Sequence, residues 1–299
     1  MTKLTAKVSA TSANIGSGFD AIGIALNLYN IFTLDFTTTH GIEYLGIETE
    51  YANENHLVLR TFFDLLEDHH VEVPRNFTFS SSCDIPIARG LGSSSACIVA
   101  GLLMANEYGK LHLTTQQLLE IACRIEGHPD NVAPALLGQL VCALIRDNQQ
   151  VLARITPIHA SLRFLAIIPD EKVSTHQART VLRQSVLLSD AVFNHARTAL
   201  LPAAFSAADK DLLAEVTQDR LHQKERFQLI GNSDSLLKSL HETPVLAYWI
   251  SGSGSTVIAL TDMHNATEVQ SYLKSTCAST TQVLILKPDN HGSTLTISR

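Results

Sequence analysis

The stretch Pro86-Ile-Ala-Arg-Gly90-Leu-Gly92-Ser93-Ser94-Ser95-Ala96 decides how the rest of the chain is read. It lies between a strand-like segment marked by Phe77 and Phe79 and a helix-like run of apolar and small residues from Ala96 to Asn106. Gly90 and Gly92 permit backbone angles that aim several N–H groups into one hollow, the serines add hydroxyl donors, and the helix that follows turns its positive end to an anion. That is the composition of a phosphate cradle. No lysine follows Gly92, so the G-x-x-x-x-G-K-[ST] signature of a P-loop is absent. A plain Gly/Ser turn capping a helix is the bland alternative.

Two more Gly/Ser loops share this composition, Ser12-Ala-Asn-Ile-Gly16-Ser-Gly18-Phe-Asp20 and Ser251-Gly-Ser-Gly254-Ser-Thr256. A dinucleotide fingerprint in the first would need Gly at position 21, which is Ala. The second reads in isolation as a hairpin turn, because strand patterns flank it. Around these loops strands and helices mix. Leu4, Ala6 and Val8 alternate, as do residues of Ile31 to Phe36; Leu57 to Leu66 fits a helical face; Thr114 with Gln117 offers a capping box before Leu118; and Leu140 to Ile145 reads as a buried strand. Beyond a boundary near Thr156, the pattern gives a strand at Arg163 to Ile168 and helices at Thr175 to Leu187, Asp190 to Leu201 and Lys210 to Val216. Strands at Pro244 to Ile250 and Thr256 to Leu260, a helix at Ala266 to Leu273 and a strand at Thr281 to Leu286 complete it. The fold class expected is α+β.

The 299 residues suit about two domains at roughly 150 residues each. With 45% hydrophobic and 17% charged residues the chain is neither disordered nor low-complexity. Its 22 Lys and Arg stand against 29 Asp and Glu, a formal net charge of −7 with no basic run, which argues against nucleic acid as a partner. Five cysteines without a C-x-x-C spacing read as reduced thiols, no signal-peptide pattern opens the chain, and no stretch approaches the ~20 apolar residues of a membrane span. A cytoplasmic protein with no membrane partner is the expectation.

The remaining chemical segment is Glu126-Gly-His128-Pro-Asp130-Asn131, behind a helix that carries Glu120. His, Asp and Asn in one turn concentrate donors and acceptors, although a turn or helix cap would use the same residues. A carboxylate beside serine hydroxyls and phosphate oxygens suits Mg²⁺, whereas the Cys and His residues lack the paired spacing of a structural zinc site.

Taken together, these segments resemble the GHMP small-molecule kinases, with the three Gly/Ser motifs in order from the first strand to at least Thr256. Glu126-Gly-His-Pro-Asp-Asn-Val-Ala-Pro-Ala135 and Asp219-Arg220-Leu221-His222 resemble the homoserine kinase branch in particular. The resemblance implies a two-domain fold: an N-terminal domain like ribosomal protein S5 domain 2 over residues 1–156, and a ferredoxin-like C-terminal domain over 157–299. It implies that Pro86, Ile87, Ala88, Arg89, Gly90, Leu91, Gly92, Ser93, Ser94, Ser95 and Ala96 wrap the phosphates of ATP. Asn55, Leu57 and Val58 would lie near the adenine, and Ser94, ahead of Ser93, would hold Mg²⁺ with Glu120. Asn14, Asp20, His128 and Asp130 on one side, with Arg179 and Arg220 on the other, would hold L-homoserine. A zwitterion wants carboxylates for its ammonium and a planar guanidinium for its carboxylate. The reaction implied is transfer of the γ-phosphoryl group to the side-chain hydroxyl, giving O-phospho-L-homoserine on the route to threonine, in a homodimer. Asn131 and Thr175 would assist, and Asp130 would act as general base or ammonium anchor.

Ser17 and Ser255 stand where the family usually has Pro, Gln139 where it has a second Gly, and Gln223-Lys224 where Glu-Pro commonly follows. None removes an expected ligand, but Gln139 restricts the turn after Leu137. The alternatives are a GHMP kinase acting on mevalonate or a sugar, with the pair Arg179 and Arg220 as the discriminator because a neutral sugar needs neither, and a non-catalytic binding protein of the same fold.

Overall fold

The structure is a computed structural model that describes residues 3–298; the outermost positions of the two expected domains, 1, 2 and 299, lie outside it. The first half builds one sheet from β1 (Lys3–Ala13), β2 (Ile22–Asp35), β3 (Ile42–Leu45), β4 (Phe77–Cys83), β5 (Leu140–Ile145) and β6 (Val151–Thr156). Its helices are α1 (Leu57–Asp68), α2 (Ser93–Tyr108), α3 (Thr115–Glu126) and α4 (Pro129–Leu137). The second half contains β7 (Leu162–Ile168), α5 (Thr175–Thr180), α6 (Leu188–Ala207), α7 (Lys210–Val216), α8 (Gln223–Phe227), α9 (Ser233–His241), β8 (Ala247–Ile250), β9 (Val257–Asp262), α10 (Ala266–Thr276), β10 (Gln282–Leu286) and β11 (Thr294–Ser298).

β7 to β10 form a separate antiparallel sheet in the order β10-β7-β9-β8, the ferredoxin-like arrangement expected. Alternation along β7 splits its side chains between two layers. Phe164, Ala166 and Ile168 join the core shared with the first sheet, and Leu165 and Ile167 pack under α9 and α10 with Leu240, Val269 and Leu273. Phe164, Phe205 and Trp249, all in the second half, meet with ring centroids 6.1 to 6.3 Å apart, and the Trp249 indole N–H reaches the first half by donating to the Ser12 hydroxyl at 3.0 Å.

β11 departs from the expected division at residue 157. It pairs antiparallel with β1, from Lys3↔Ser298 to Lys7↔Thr294, and returns the end of the second half to the first sheet. It is short and mostly exposed, with only Leu295 half-buried, so its five-residue alternation is a weak signal. β6, also missed, is an edge strand on β5 with partly exposed residues at most positions.

Helix α2 lies at the centre of the first half, buried along most of its length, as an apolar helix without an exposed stripe must. Gly101 lets α1 pack close, since a Cβ there would stand 2.6 Å from the carbonyl oxygen of Val58. The capping box of Thr114 and Gln117 starts α3. Gln139 adopts φ +62°, the left-handed angle that glycine accommodates more readily, and its carbonyl accepts the Ala25 N–H at 2.9 Å. The turn after Leu137 therefore keeps its course with a side chain in place. α5 ends at Thr180 rather than Leu187, because Arg183 turns out of the helical path to ion pairs with Asp190 and Glu225.

Candidate active site

A cleft of about 810 Å³ runs between the halves, lined by the expected phosphate loop, the loop of residues 14–20, the start of α4, α5, α8 and the Ser251–Thr256 loop. Its volume is within the range of roughly 300–1,000 Å³ for small-molecule sites.

The phosphate loop is clamped by backbone. Gly92 ends it at φ +73°, where a Cβ would come 2.0 Å from the Thr11 hydroxyl oxygen, and at Gly90 (φ +76°) a Cβ would meet the Ser251 carbonyl oxygen at 2.1 Å. Only glycine fits either place. The Ser251 hydroxyl donates to the Gly90 carbonyl at 2.6 Å, and the Thr256 and Thr11 N–H groups donate to the carbonyls of Arg89 and Leu91 at 3.1 and 3.0 Å. The Ser251–Thr256 loop is therefore both the turn of a β8–β9 hairpin and a buttress for the phosphate loop. No side chain caps α2, so its first N–H groups are free to bind an anion. Ile87, Ala88, Arg89, Gly90, Gly92, Ser93 and Ser94 line the cleft; Pro86, Leu91, Ser95 and Ala96 do not. The Arg89 side chain is spent on the carbonyls of Ile87, Pro169 and Asp170.

The carboxylate beside this loop is Glu126 and not Glu120. The hydroxyls of Ser94 and Ser95 donate to the two oxygens of Glu126 at 3.2 and 3.1 Å. Glu120 accepts instead from the Gln116 amide at 2.8 Å and from the Val151 N–H at 3.4 Å, and does not line the cleft. Six residues along α3 amount to about 1.7 turns, which puts the two glutamates on different faces. Ser94 and Glu126 offer the hard oxygen atoms that Mg²⁺ prefers.

At the other end of the cleft, His128 stands at the N-terminus of α4 with its Nδ1 2.5 Å from the carboxylate of Asp130, which is 2% exposed. The side-chain amide oxygen of Asn131 accepts from the Thr11 hydroxyl at 2.8 Å. Asp20, His128 and Asp130 bring ligand atoms within 4.8 Å of one another. Burial opposes charge on His128, but Asp130 as hydrogen-bond partner, with the charges of Asp130, Glu126 and Asp20, outweighs it and raises its pKa. Across the cleft Arg179, on α5, grips both oxygens of Asp20 at 2.9 and 3.0 Å. Here too burial works against the charge and Asp20 overcomes it, so the guanidinium pKa is raised. Asn14 lines the cleft and donates to the Gly252 carbonyl at 3.0 Å, and Thr175 lines it from the start of α5.

Arg220 does not reach the cleft. The Asp219 carboxylate accepts the N–H groups of Leu221, His222 and Gln223, and this turn directs Arg220 outward over the Phe193 ring at 3.8 Å and toward Asp190. Its place is taken by Arg226 on α8. Arg226 is 3% exposed, lines the cleft, and donates from its guanidinium to the carbonyls of Ala178 (3.2 Å) and Gly252 (2.8 Å). Neither Glu126 nor Arg226 was chosen from the sequence, though each lies within or just beyond a segment that was.

At the end expected to hold adenine, Asn55 and Leu57 line the cleft, whereas Val58 is fully buried in α1. His56 lines it too, and its Nδ1 accepts the Val58 N–H at 3.3 Å.

The GHMP kinases N terminal domain matches residues 56–139 and the GHMP kinases C terminal domain matches residues 201–279. Homoserine kinase of Clostridium beijerinckii is 39% identical over 259 residues, covering 87% of this chain and 86% of its own. Homoserine kinase of Desulfitobacterium hafniense is 39% identical over 292 residues, with coverages of 96% and 98%. Among solved structures, homoserine kinase from Cytophaga hutchinsonii superposes with a TM-score of 0.86 at 26% identity, covering 99% of this chain and 98% of that one.

Proposed function

The chain belongs to the homoserine kinase family of the GHMP kinases, and from that membership and the geometry of the cleft we propose that it transfers the γ-phosphoryl group of ATP to the side-chain hydroxyl of L-homoserine. The observation that carries the reading is the meeting, in one cleft, of an anion-binding loop with a cluster of paired charges suited to a small zwitterion.

The loop N–H groups at the start of α2 would hold the triphosphate, and Asn55 and Leu57 would lie beside the base. Ser94 and Glu126 would hold Mg²⁺, which when bound neutralises phosphate charge. Asp20 and Asp130 supply negative charge for an ammonium, and Arg179 and Arg226 supply guanidinium groups for a carboxylate. With the amino acid fixed at both charged ends, its hydroxyl is the group left to face the phosphates. Rate enhancement then comes chiefly from positioning, and from donors aimed at charge developing on the transferred group: the loop N–H groups, Asn131 and Thr175. Asp130, oriented by His128, is available to the substrate ammonium or to the hydroxyl proton.

The two-arginine wall favours an amino acid over a neutral sugar, and it does so through Arg226 in place of Arg220. A coupled ADP-release assay with L-homoserine, L-serine, mevalonate and galactose tests the reading. Turnover with homoserine above the other three is expected, and turnover with mevalonate or galactose but not homoserine would overturn it.

A further inference from the structure

The Asp219-Arg-Leu-His222 segment sends its arginine outward, and its histidine does not line the cleft, so the proposed chemistry leaves the segment without a role. His222 is nevertheless 1% exposed, and its two nitrogens are treated unequally. Nε2 lies 2.8 Å from the carbonyl oxygen of Gly16, while Nδ1 is buried with no hydrogen-bond partner among the described residues. A nitrogen facing a carbonyl must carry the hydrogen, so the ring is fixed as the Nε2–H tautomer and donates. Burial keeps it neutral by lowering its pKa, Asp219 opposing and Arg226 assisting. A leucine would fill this space without stranding a buried nitrogen, so packing alone does not account for a histidine here.

Gly16 sits in the loop that presents Asn14 and Asp20 to the cleft, and the same block of the second half grips that loop at several further points. The Ser17 hydroxyl donates to the Val216 carbonyl at 2.7 Å, and the Ser17 carbonyl accepts from Thr198 at 2.7 Å and from Asn194 at 3.3 Å. Asn194 also donates to Asp219 at 2.7 Å and accepts the Arg220 N–H at 2.9 Å. The Phe19 ring lies 4.9 Å from the His222 ring, centroid to centroid. The block continues into α8, where Arg226 and, from the loop side, Asn14 share the Gly252 carbonyl. Charged groups on both walls of the cleft are thus set in register by one hydrogen-bonded unit behind it.

We propose that His222 is a positioning residue: by donating from Nε2 to the Gly16 carbonyl, with Asp219 and Asn194 holding it in place, it fixes the 14–20 loop and so sets the affinity for the amino-acid substrate without touching it. The inference rests on the cleft being a homoserine site. Among the described residues no hydrogen bond joins His222, Asp219, Asn194, Thr198 or residues 16–19 to the phosphate loop or to the Asn55–Leu57 end, so the homoserine site should respond to a change at His222 more than the ATP site does.

The test compares wild type with His222→Leu, which keeps the bulk and removes the donor, and with His222→Gln, whose amide nitrogen can stand in for Nε2. Homoserine is varied at saturating ATP, ATP at saturating homoserine, and thermal unfolding is followed alongside. Loss of one buried hydrogen bond predicts a homoserine KM raised about tenfold in His222→Leu, with the ATP KM within about twofold of wild type, and most of the loss recovered in His222→Gln. An unchanged homoserine KM in His222→Leu overturns the inference, as does an equal rise in both KM values that Gln does not rescue. If His222→Leu does not fold, Thr198→Val removes another bond to the loop from outside the cleft. A selective rise in homoserine KM then supports the inference and an unchanged one overturns it. A wild-type enzyme that does not turn over homoserine would instead strike the proposed function.

Discussion

Arg226 and Arg220 offer a direct contest between the structure and the sequence pattern. Replacing Arg226 by Met removes a cation that lines the cleft and two bonds to carbonyls. The Gly252 carbonyl keeps the Asn14 amide as a donor, so only Ala178 loses its side-chain partner, and the expected loss of stability is about 1–2 kcal/mol. The larger effect falls on the substrate. A charge-assisted contact between guanidinium and carboxylate is worth about 1.5–3 kcal/mol, so kcat/KM for homoserine should drop by roughly one to two orders of magnitude. Arg220→Ala removes an exposed side chain whose nearest carboxylate is 3.7 Å away, and kcat/KM should stay within about threefold of wild type. Both variants are assayed by coupled ADP release at saturating ATP, with thermal unfolding to confirm folding at the assay temperature. A loss in Arg220→Ala equal to or greater than that in Arg226→Met would refute the assignment of the carboxylate-binding wall to Arg226.

The same contrast applies to the two glutamates: Glu126→Gln should raise the Mg²⁺ concentration for half-maximal activity by about tenfold or more, and Glu120→Gln should leave the Mg²⁺ titration near wild type, the reverse order speaking against Glu126. His222 also predicts a pH effect. Its folded pKa is depressed below the ordinary 6.5, so the neutral ring's contribution to stability is complete above about pH 6.5 and is lost as the pH falls through the depressed value. Wild-type melting temperature should therefore fall faster than that of His222→Gln between about pH 6.5 and 4.5, and parallel curves would contradict a neutral buried imidazole.

The sequence revealed local features more fully than partners. The capping box at Thr114, the strand Leu140 to Ile145 and the glycines at 90 and 92 each carry their own physical signature and are found where expected, although that strand is buried at Leu140, Val141 and Ala143 and exposes Leu144. Edge strands carry little: β6 has no regular alternation, and the Thr-Leu-Thr-Ile-Ser alternation of β11 spans only five residues, four of them exposed, at the far end of the chain from the strand it joins. The site was legible as segments. Whether Arg220 or Arg226 faces inward depends on how Asp219 folds the three residues after it, and whether Glu120 or Glu126 meets Ser94 depends on how α3 is rotated against α2. Both are outcomes of tertiary packing. Val58 illustrates the same limit, because it shares a segment with Asn55 but points to the core.

The Asp20–Arg179 pair bears on ligand choice. Each of these charges answers the other across the cleft, so a molecule that engages only one strands its counterpart. A simple carboxylic acid would take Arg179 from Asp20 and return nothing, and a simple amine would do the converse. A ligand bearing both charges replaces the contact it breaks at each end, so discrimination against half-charged analogues is built into the pair. Because both side chains remain about a third or more exposed, water softens that penalty, and the filter sorts ligands by what they lack more than it tightens the grip on the right one.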